Sequence, residues 1–284
     1  MMKADSFTLE HIRDIQKTSP VDKSILERSI FALALLEALA QVGLPFIFKG
    51  GTSLLLLLEK PRRLSTDIDI IVEPGTDVHH YLEEAAKIYP FSRMEQQQRK
   101  GKNNIEKSHF KFTYDSPVQG KPFFILLDIL YEQNHYCTLI KRKVAHEFLQ
   151  TEEPYVEVTM PSISCILGDK MTAFAPHTTG ILFGMDKELE IIKQLYDIAT
   201  LIDVHDNYND VFTSYMATAK AELAYRGLSI SVEEVLQKKQ SLLPARSCTW
   251  PHVCSKVKNL RGLLIQQVFL KQTSENQDMQ NCHH

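Results

Sequence analysis

Two carboxylates separated by a single residue, Asp67 and Asp69, are the first residues in this 284-residue chain whose spacing could do chemistry. On an extended strand, residues i and i+2 point to the same face. The pair would then sit side by side, with Ile68 and Ile70 turned the other way. Adjacent carboxylates repel one another and are costly to half-bury unless a cation neutralises them. Mg²⁺ takes oxygen ligands and keeps positions for water or phosphate. An Asp-x-Asp pair on a strand therefore suits the clamping of a metal-bound phosphate. Most such triplets are only solvated surface acids, but three features argue for more here. The pair lies in an isoleucine-rich stretch, TDIDIIV (66–72), where a bare charge needs a reason. A third carboxylate, Asp128, lies inside another apolar run, FFILLDIL (123–130). Upstream, Lys49-Gly50-Gly51-Thr52-Ser53 forms a glycine turn that leads into leucines.

Glycine lets a backbone approach a ligand, and a following helix would offer N–H groups to phosphate oxygens. Thr52 or Ser53 could add a hydroxyl. Taken alone, the stretch reads better as a plain strand-to-helix turn with a Thr or Ser cap. It lacks the G-x-x-x-x-G-K-[ST] spacing of a Walker loop, which disfavours a P-loop enzyme.

These residues need elements to position them. Residues 24–42 have helical apolar spacing and end before Gly43. PFIF (45–48), residues 66–72, SHFKFTYD (108–115) and 123–130 read as strands, and 77–88 reads as a helix. Residues 1–23 read as a polar lead-in with a short helix. From about residue 160 the chain turns helical, with candidates at 161–175, 186–203, 207–226, 231–243 and 255–271. Ser231 and Glu234 have capping-box spacing. The tail, 273–284, is polar and reads as disordered. Phe110, Phe112 and Tyr114 are expected in the core, as is the Leu54–Leu58 run. His79-His80 reads as surface. His109 and Lys111 share one strand face, which could meet either a nucleotide or solvent.

With these motifs in view, the chain resembles the polymerase-beta-like nucleotidyltransferases, and specifically the AbiEii family. That family comprises toxins of type IV abortive-infection toxin–antitoxin systems, with MenT-type toxins among its relatives. Gly50, Gly51, Thr52 and Leu54 match its GGT-x-L turn. Arg63, Ser65, Asp67 and Asp69 match its R-x-S-x-D-x-D motif. GDKMTAF places Lys170 and Ala173 on its E-K-x-x-A motif, with Asp169 in place of the acidic neighbour. KQLYDI supplies Lys193, Leu195, Asp197 and Ile198, with Gln194 where the family has aspartate.

The resemblance implies an α+β fold, with a small mixed sheet and flanking helices forming a nucleotidyltransferase core. A mostly helical C-terminal part would follow. The corresponding domains are 1–155, then 156–272 completing the active site, then the tail 273–284. It implies transfer of a nucleotide from an NTP with Mg²⁺ or Mn²⁺ held by Asp67, Asp69 and Asp128. Asp128 would serve as ligand or as base at the acceptor. Lys170 would neutralise phosphate charge, and Asp197 would contact substrate or orient Lys170. Nucleotide contacts would come from Lys49, Gly50, Gly51, Thr52, Ser53, Arg63 and Ser65.

Charge is unevenly spread. From Val235 to Lys271 there is no Asp or Glu, while Lys238, Lys239, Arg246, Lys256, Lys258, Arg261 and Lys271 are all basic. The whole chain carries a net charge of -3, so the remainder is strongly acidic. Trp250 and His252 lie within the basic stretch, and such a patch can hold an RNA backbone and stack a base. Arg93, Arg99, Lys100, Lys102, Lys107 and Lys111 form a second basic stretch, offset by Glu95 and Glu106. An RNA acceptor, with tRNA the target implied by relatives, is therefore one expectation. A small-molecule or protein acceptor, or a non-catalytic scaffold, is the alternative. A toxin further implies a cognate antitoxin.

The five cysteines, Cys137, Cys165, Cys248, Cys254 and Cys282, show no C-x-x-C spacing. Neither a disulfide framework nor a structural zinc site is expected from them. With no apolar signal core and no long apolar run, the protein is expected to be soluble and cytoplasmic.

Overall fold

The computed structural model describes residues 1–98, 106–174, 178–181 and 186–237, with positions 259, 260, 262, 264 and 266 beyond them. Lys238, Lys239, Arg246, Lys256, Lys258 and Arg261 lie outside the described residues, as do Trp250, most of the helix expected at 255–271, and the tail. Contacts divide the chain into two units. One is Met1–Asn134 with Leu139–Pro161, and the other is His135–Thr138 with the described residues from Ser162 onward.

The first unit opens with helices α1 (Leu9–Thr18) and α2 (Lys23–Gln41). The Asp22 carboxylate caps α2 by accepting from the Ser24 and Ile25 N–H groups. Leucine, isoleucine and alanine surround this helix on nearly every side, and such a helix belongs in a core. Residues Leu26 to Leu39 are accordingly almost all buried.

Strand β1 (Ile47–Lys49) follows, then one helical turn, α3 (Leu54–Leu57), and strand β2 (Ile68–Val72). Helix α4 (His79–Ala85) leads to β3 (Phe91–Gln97), β4 (Lys107–Ser116) and β5 (Lys121–Tyr131). These five strands form one mixed sheet in the order β1-β2-β5-β4-β3. The β2–β5 pair is parallel and the other pairs are antiparallel. A second, two-stranded sheet pairs β6 (Leu139–Lys143) with β7 (Glu157–Pro161). The α+β class is thus the observed one.

Alternation along the strands sorts the sheet into two faces. Phe48, Ile68, Ile70, Phe110, Phe112, Tyr114, Ile125, Leu127 and Ile129 are fully buried on one side. Helix α2 packs on that side, and Phe31 stacks on Tyr114 with ring centroids 3.8 Å apart. Each of these large side chains contributes about 1.5–3 kcal/mol through burial. That apolar face fixes the register, because a one-residue slip would turn every core residue outward.

Some expectations need correction. Residues 91–97 form an edge strand that the polar sequence did not announce. The outward positions of an edge strand stay wet, so the apolar alternation is lost. β6 (LIKRK) was not foreseen for the same reason, being largely exposed, whereas β7 (EVTMP) is mostly buried but too short to show a pattern. The helix expected at 77–88 is shorter, ending at Ala85.

The second unit is helical: α5 (Ile163–Met171), α6 (Glu188–Ile202), α7 (Tyr208–Tyr225) and α8 (Val232–Gln237). The Ser231 hydroxyl accepts from the Glu234 N–H and the Glu234 carboxylate accepts from the Ser231 N–H, which completes the capping box. Gly168 lets α5 and α7 approach closely, since a Cβ there would lie 2.4 Å from the Val211 carbonyl oxygen. Among the described residues, no helix is long and apolar enough to cross a membrane.

Candidate active site

The face of the sheet opposite the core carries the acids. In the sheet register Lys49 stands opposite Asp69, Asp69 beside Asp128, Asp128 opposite His109, and His109 opposite Gln97. Register partners on neighbouring strands share a face. One row crossing all five strands therefore reads Lys49, Asp69, Asp128, His109, Gln97. Asp67 lies two residues before Asp69, at the entry to β2. The alternation that buries Ile68 and Ile70 leaves Asp67 and Asp69 half-buried on the other side.

Two of the acids have specific side-chain partners. The Asp128 carboxylate is 2.6 Å from His109 Nδ1. Arg28 of α2 reaches the Asp67 carboxylate at 3.7 Å and donates to Thr66 Oγ1 at 2.8 Å. Ser29, the next residue, donates to the Ser65 carbonyl at 2.9 Å. The core helix thus holds the segment entering β2. Arg28 and Ser29 escaped the sequence reading. The only hint was a polar break, Glu27-Arg28-Ser29, in an otherwise apolar helix.

The glycine turn fits against the carboxylates. Gly50 has φ +80°, and a Cβ built on it would lie 2.0 Å from Asp69 Oδ2. Only glycine allows both that backbone conformation and that approach. A Cβ on Gly51 would come within 2.8 Å of both an Arg63 guanidinium nitrogen and Ser65 Oγ. Gly50, Gly51, Arg63, Ser65 and Asp69 are therefore brought together.

Thr52 and Ser53 behave differently from expectation. Both are fully buried. The Thr52 hydroxyl donates to the Asp67 carbonyl at 2.5 Å, and the Ser53 hydroxyl donates to the Gly50 carbonyl at 2.8 Å. They build the turn and tie it to β2. α3 is a single turn, and the Leu54, Leu55 and Leu56 N–H groups donate back to Gly51, Thr52 and Ser53. The helix expected to present N–H groups to phosphate is too short to supply an appreciable dipole.

The donor set fits a hard divalent cation. Asp69 and Asp128 are register neighbours on one face, Asp67 lies just before β2, and the donors they offer are carboxylate oxygens. Lys111 adds a cation on this face, its Nζ 4.3 Å from the centroid of the Phe124 ring. Of the two readings left open for His109 and Lys111, both residues lie on the carboxylate face.

The second unit holds its own constellation. Lys170 Nζ is 2.9 Å from Asp197 Oδ2, with side-chain exposures of 7% and 1%. Lys170 also donates to Gln194 Oε1 at 3.3 Å. Removing one member of such a buried pair strands the other charge. Gln194 supplies a neutral acceptor where the motif carries aspartate.

The family model described as nucleotidyl transferase AbiEii toxin, type IV TA system, matches residues 34–249. The chain belongs to the AbiEii nucleotidyltransferase toxin family. It is accordingly a nucleotidyltransferase. The AbiEii match spans the glycine turn, the three acids, Lys170 and Asp197. A search of curated proteins returns no match. Among solved structures, JHP933 from Helicobacter pylori is similar at 14% identity and a TM-score of 0.47, over 89% of this chain and 98% of that one. An antigenic nucleotidyltransferase-like protein from Paracoccidioides brasiliensis is similar at 16% identity and a TM-score of 0.46, over 82% of this chain and 92% of that one.

Proposed function

We propose that this AbiEii protein transfers a nucleotide from an NTP to RNA, with tRNA the favoured acceptor, as the toxin of a phage-defence pair with a cognate antitoxin. The row Lys49, Asp69, Asp128, His109 on the face of the sheet opposite the core carries the reading. Asp67, Asp69 and Asp128 would hold Mg²⁺ or Mn²⁺. Bound there, such an ion would neutralise triphosphate charge and lower the pKa of the acceptor hydroxyl.

The chain's own groups do the rest. Gly50 and Gly51 leave the backbone open to the phosphates, and Lys49 offsets part of the carboxylate charge. The Arg63 guanidinium, lying over Gly51, matches phosphate oxygens as a fork. Ser65 lies beside it. Asp128, oriented by His109, serves as ligand or takes the acceptor proton. Lys170 is assigned the neutralisation of phosphate charge by the motif it matches, and Asp197 and Gln194 fix its ammonium.

The RNA acceptor rests on charge. An acid-free segment with seven Lys and Arg residues, and Lys111 beside Phe124 on the carboxylate face, suits a polyanion with stacking bases. The test is incubation with Mg²⁺, each radiolabelled NTP in turn, and total bacterial RNA. Label on an RNA band with one nucleotide supports the proposal. Label only on protein or on a small molecule replaces the acceptor, and no transfer to any acceptor overturns it.

A further inference from the structure

Cys137 and Cys165 are 28 positions apart in sequence, yet their sulfurs lie 3.5 Å apart. Cys137 is exposed in the segment 135–138, and Cys165 is fully buried in the first turn of α5. Asp210, in the first turn of α7, completes a triad: one ligand atom from each of the three residues lies within 4.8 Å of the others. Ser214 Oγ, one turn along α7, is 3.5 Å from the Cys137 sulfur. All four residues belong to the second unit.

The local structure fixes this convergence. The Tyr136 hydroxyl donates to Asp169 Oδ2 at 2.8 Å, and the Ser162 N–H donates to the Thr138 carbonyl at 3.0 Å. Cys137 is thus clamped on both sides against α5. The Ser162 hydroxyl accepts from the Cys165 N–H at 3.2 Å, which orients the start of α5. Asn207 Nδ2 donates to Asp210 Oδ1 at 3.0 Å and holds that carboxylate at the head of α7. Gly168 draws α7 in against α5, three residues beyond Cys165.

We propose that Cys137, Cys165 and Asp210 bind a divalent cation of the zinc class, with Ser214 or solvent at the fourth position. The separations fit a shared ion, and the 3.5 Å between the sulfurs is also that of a thiol–thiol hydrogen bond, so the metal titration below decides between them. Two thiolates on a tetrahedral zinc, with bonds of ~2.3 Å, lie ~3.8 Å apart. The observed 3.5 Å is near that edge and far from the ~2.05 Å of a disulfide. A sulfur and an oxygen ligand on the same ion lie ~3.5 Å apart, which is the Cys137–Ser214 separation.

Charge points the same way. Redox-active cysteines sit in electropositive surroundings that favour the thiolate. Here a carboxylate faces the sulfurs, so a cation is what makes two thiolates beside Asp210 favourable. Thiolate ligands select zinc-class ions over Mg²⁺, which separates this site from the all-oxygen acids of the sheet. Bound there, the ion would staple the 135–138 segment to α5 and α7. The long sequence separation and lack of C-x-x-C spacing explain why the cysteines gave no zinc signal in the sequence.

The test is titration of the reduced full-length protein with Co²⁺ alone, followed by Zn²⁺. One equivalent of cobalt should produce a thiolate-to-cobalt charge-transfer band that zinc removes. Zinc should also raise the thermal midpoint. Cys137→Ser and Cys165→Ser should each abolish the band, whereas the triple Cys248→Ser, Cys254→Ser, Cys282→Ser variant should keep it. Asp210→Asn retains both thiols and should weaken cobalt binding by at least about tenfold. No band in the wild type, a band surviving both cysteine replacements, or a band lost in the triple variant would overturn the proposal. Aerobic closure of a Cys137–Cys165 disulfide in protein that binds no cobalt would overturn it too.

Discussion

At Asp128 a carboxylate stands in a strand whose other face is core, beside Asp69 in register and against His109 at 2.6 Å. On the proposed reading its position serves chemistry, because neighbouring like charges cost the fold. Asp128→Asn and Asp69→Asn should each lower nucleotide transfer by about a hundred- to a thousandfold, a loss on the scale of one essential electrostatic group. The unfolding midpoint should hold or rise. A clear drop in midpoint would mean that the acids are structural. Gly50→Ala tests the same site through the backbone. The new methyl meets Asp69, and φ +80° is strained for alanine. A cost of about 1–3 kcal/mol with loss of transfer is expected, measured by denaturant unfolding and label transfer. Glu27 gives a pH test. It is fully buried, and burial raises its carboxyl above the ordinary 4.5, against the lowering effect of hydrogen bonds from Ser116 and Val118. The folded chain therefore holds this proton more tightly than the unfolded one. That contribution to stability is present below 4.5 and is lost as pH rises through the folded-state value. Glu27→Gln should gain stability relative to wild type as pH rises above 4.5, as read by denaturant midpoints. A difference that does not change with pH would contradict it.

At the scale of elements, apolar pattern decided what could be read from the sequence. α2, β2, β4 and β5 bury a full face, and each stood out at the residues where it occurs. The five-strand order was not legible, because nothing local tells β5 to insert between β2 and β4. The register that puts Asp128 beside Asp69 was hidden with it. β3 and β6 were missed because their polar side chains face water. The glycine turn was legible as a turn, but the inward direction of the Thr52 and Ser53 hydroxyls was not, since either hydroxyl could have faced a ligand. Lys170 and Asp197 came from the family motif, and their direct 2.9 Å pairing came from the structure. The α5–α7 packing yields an element-scale prediction. Gly168→Ala places a methyl against the Val211 carbonyl and should destabilise by about 1–3 kcal/mol or more. A neutral result in thermal unfolding would show that the two helices can part at little cost.

At the scale of the whole chain, membership of the AbiEii family is established, whereas the acceptor rests on the charge distribution. Seven cations in an acid-free stretch should bind RNA through counterion release. Affinity should then fall about a thousandfold between roughly 50 and 200 mM salt. Binding that is indifferent to salt would remove RNA's main support. The central claim is that Asp67, Asp69 and Asp128 form one metal-dependent transfer site. Its most direct measurement is label transfer from an NTP by the purified protein, with Mg²⁺ and with chelator, beside Asp67→Asn. The account predicts labelled product only in the Mg²⁺ reaction of the wild type, with the variant inactive at an unchanged unfolding midpoint. A folded Asp67→Asn protein that still transfers label would contradict it.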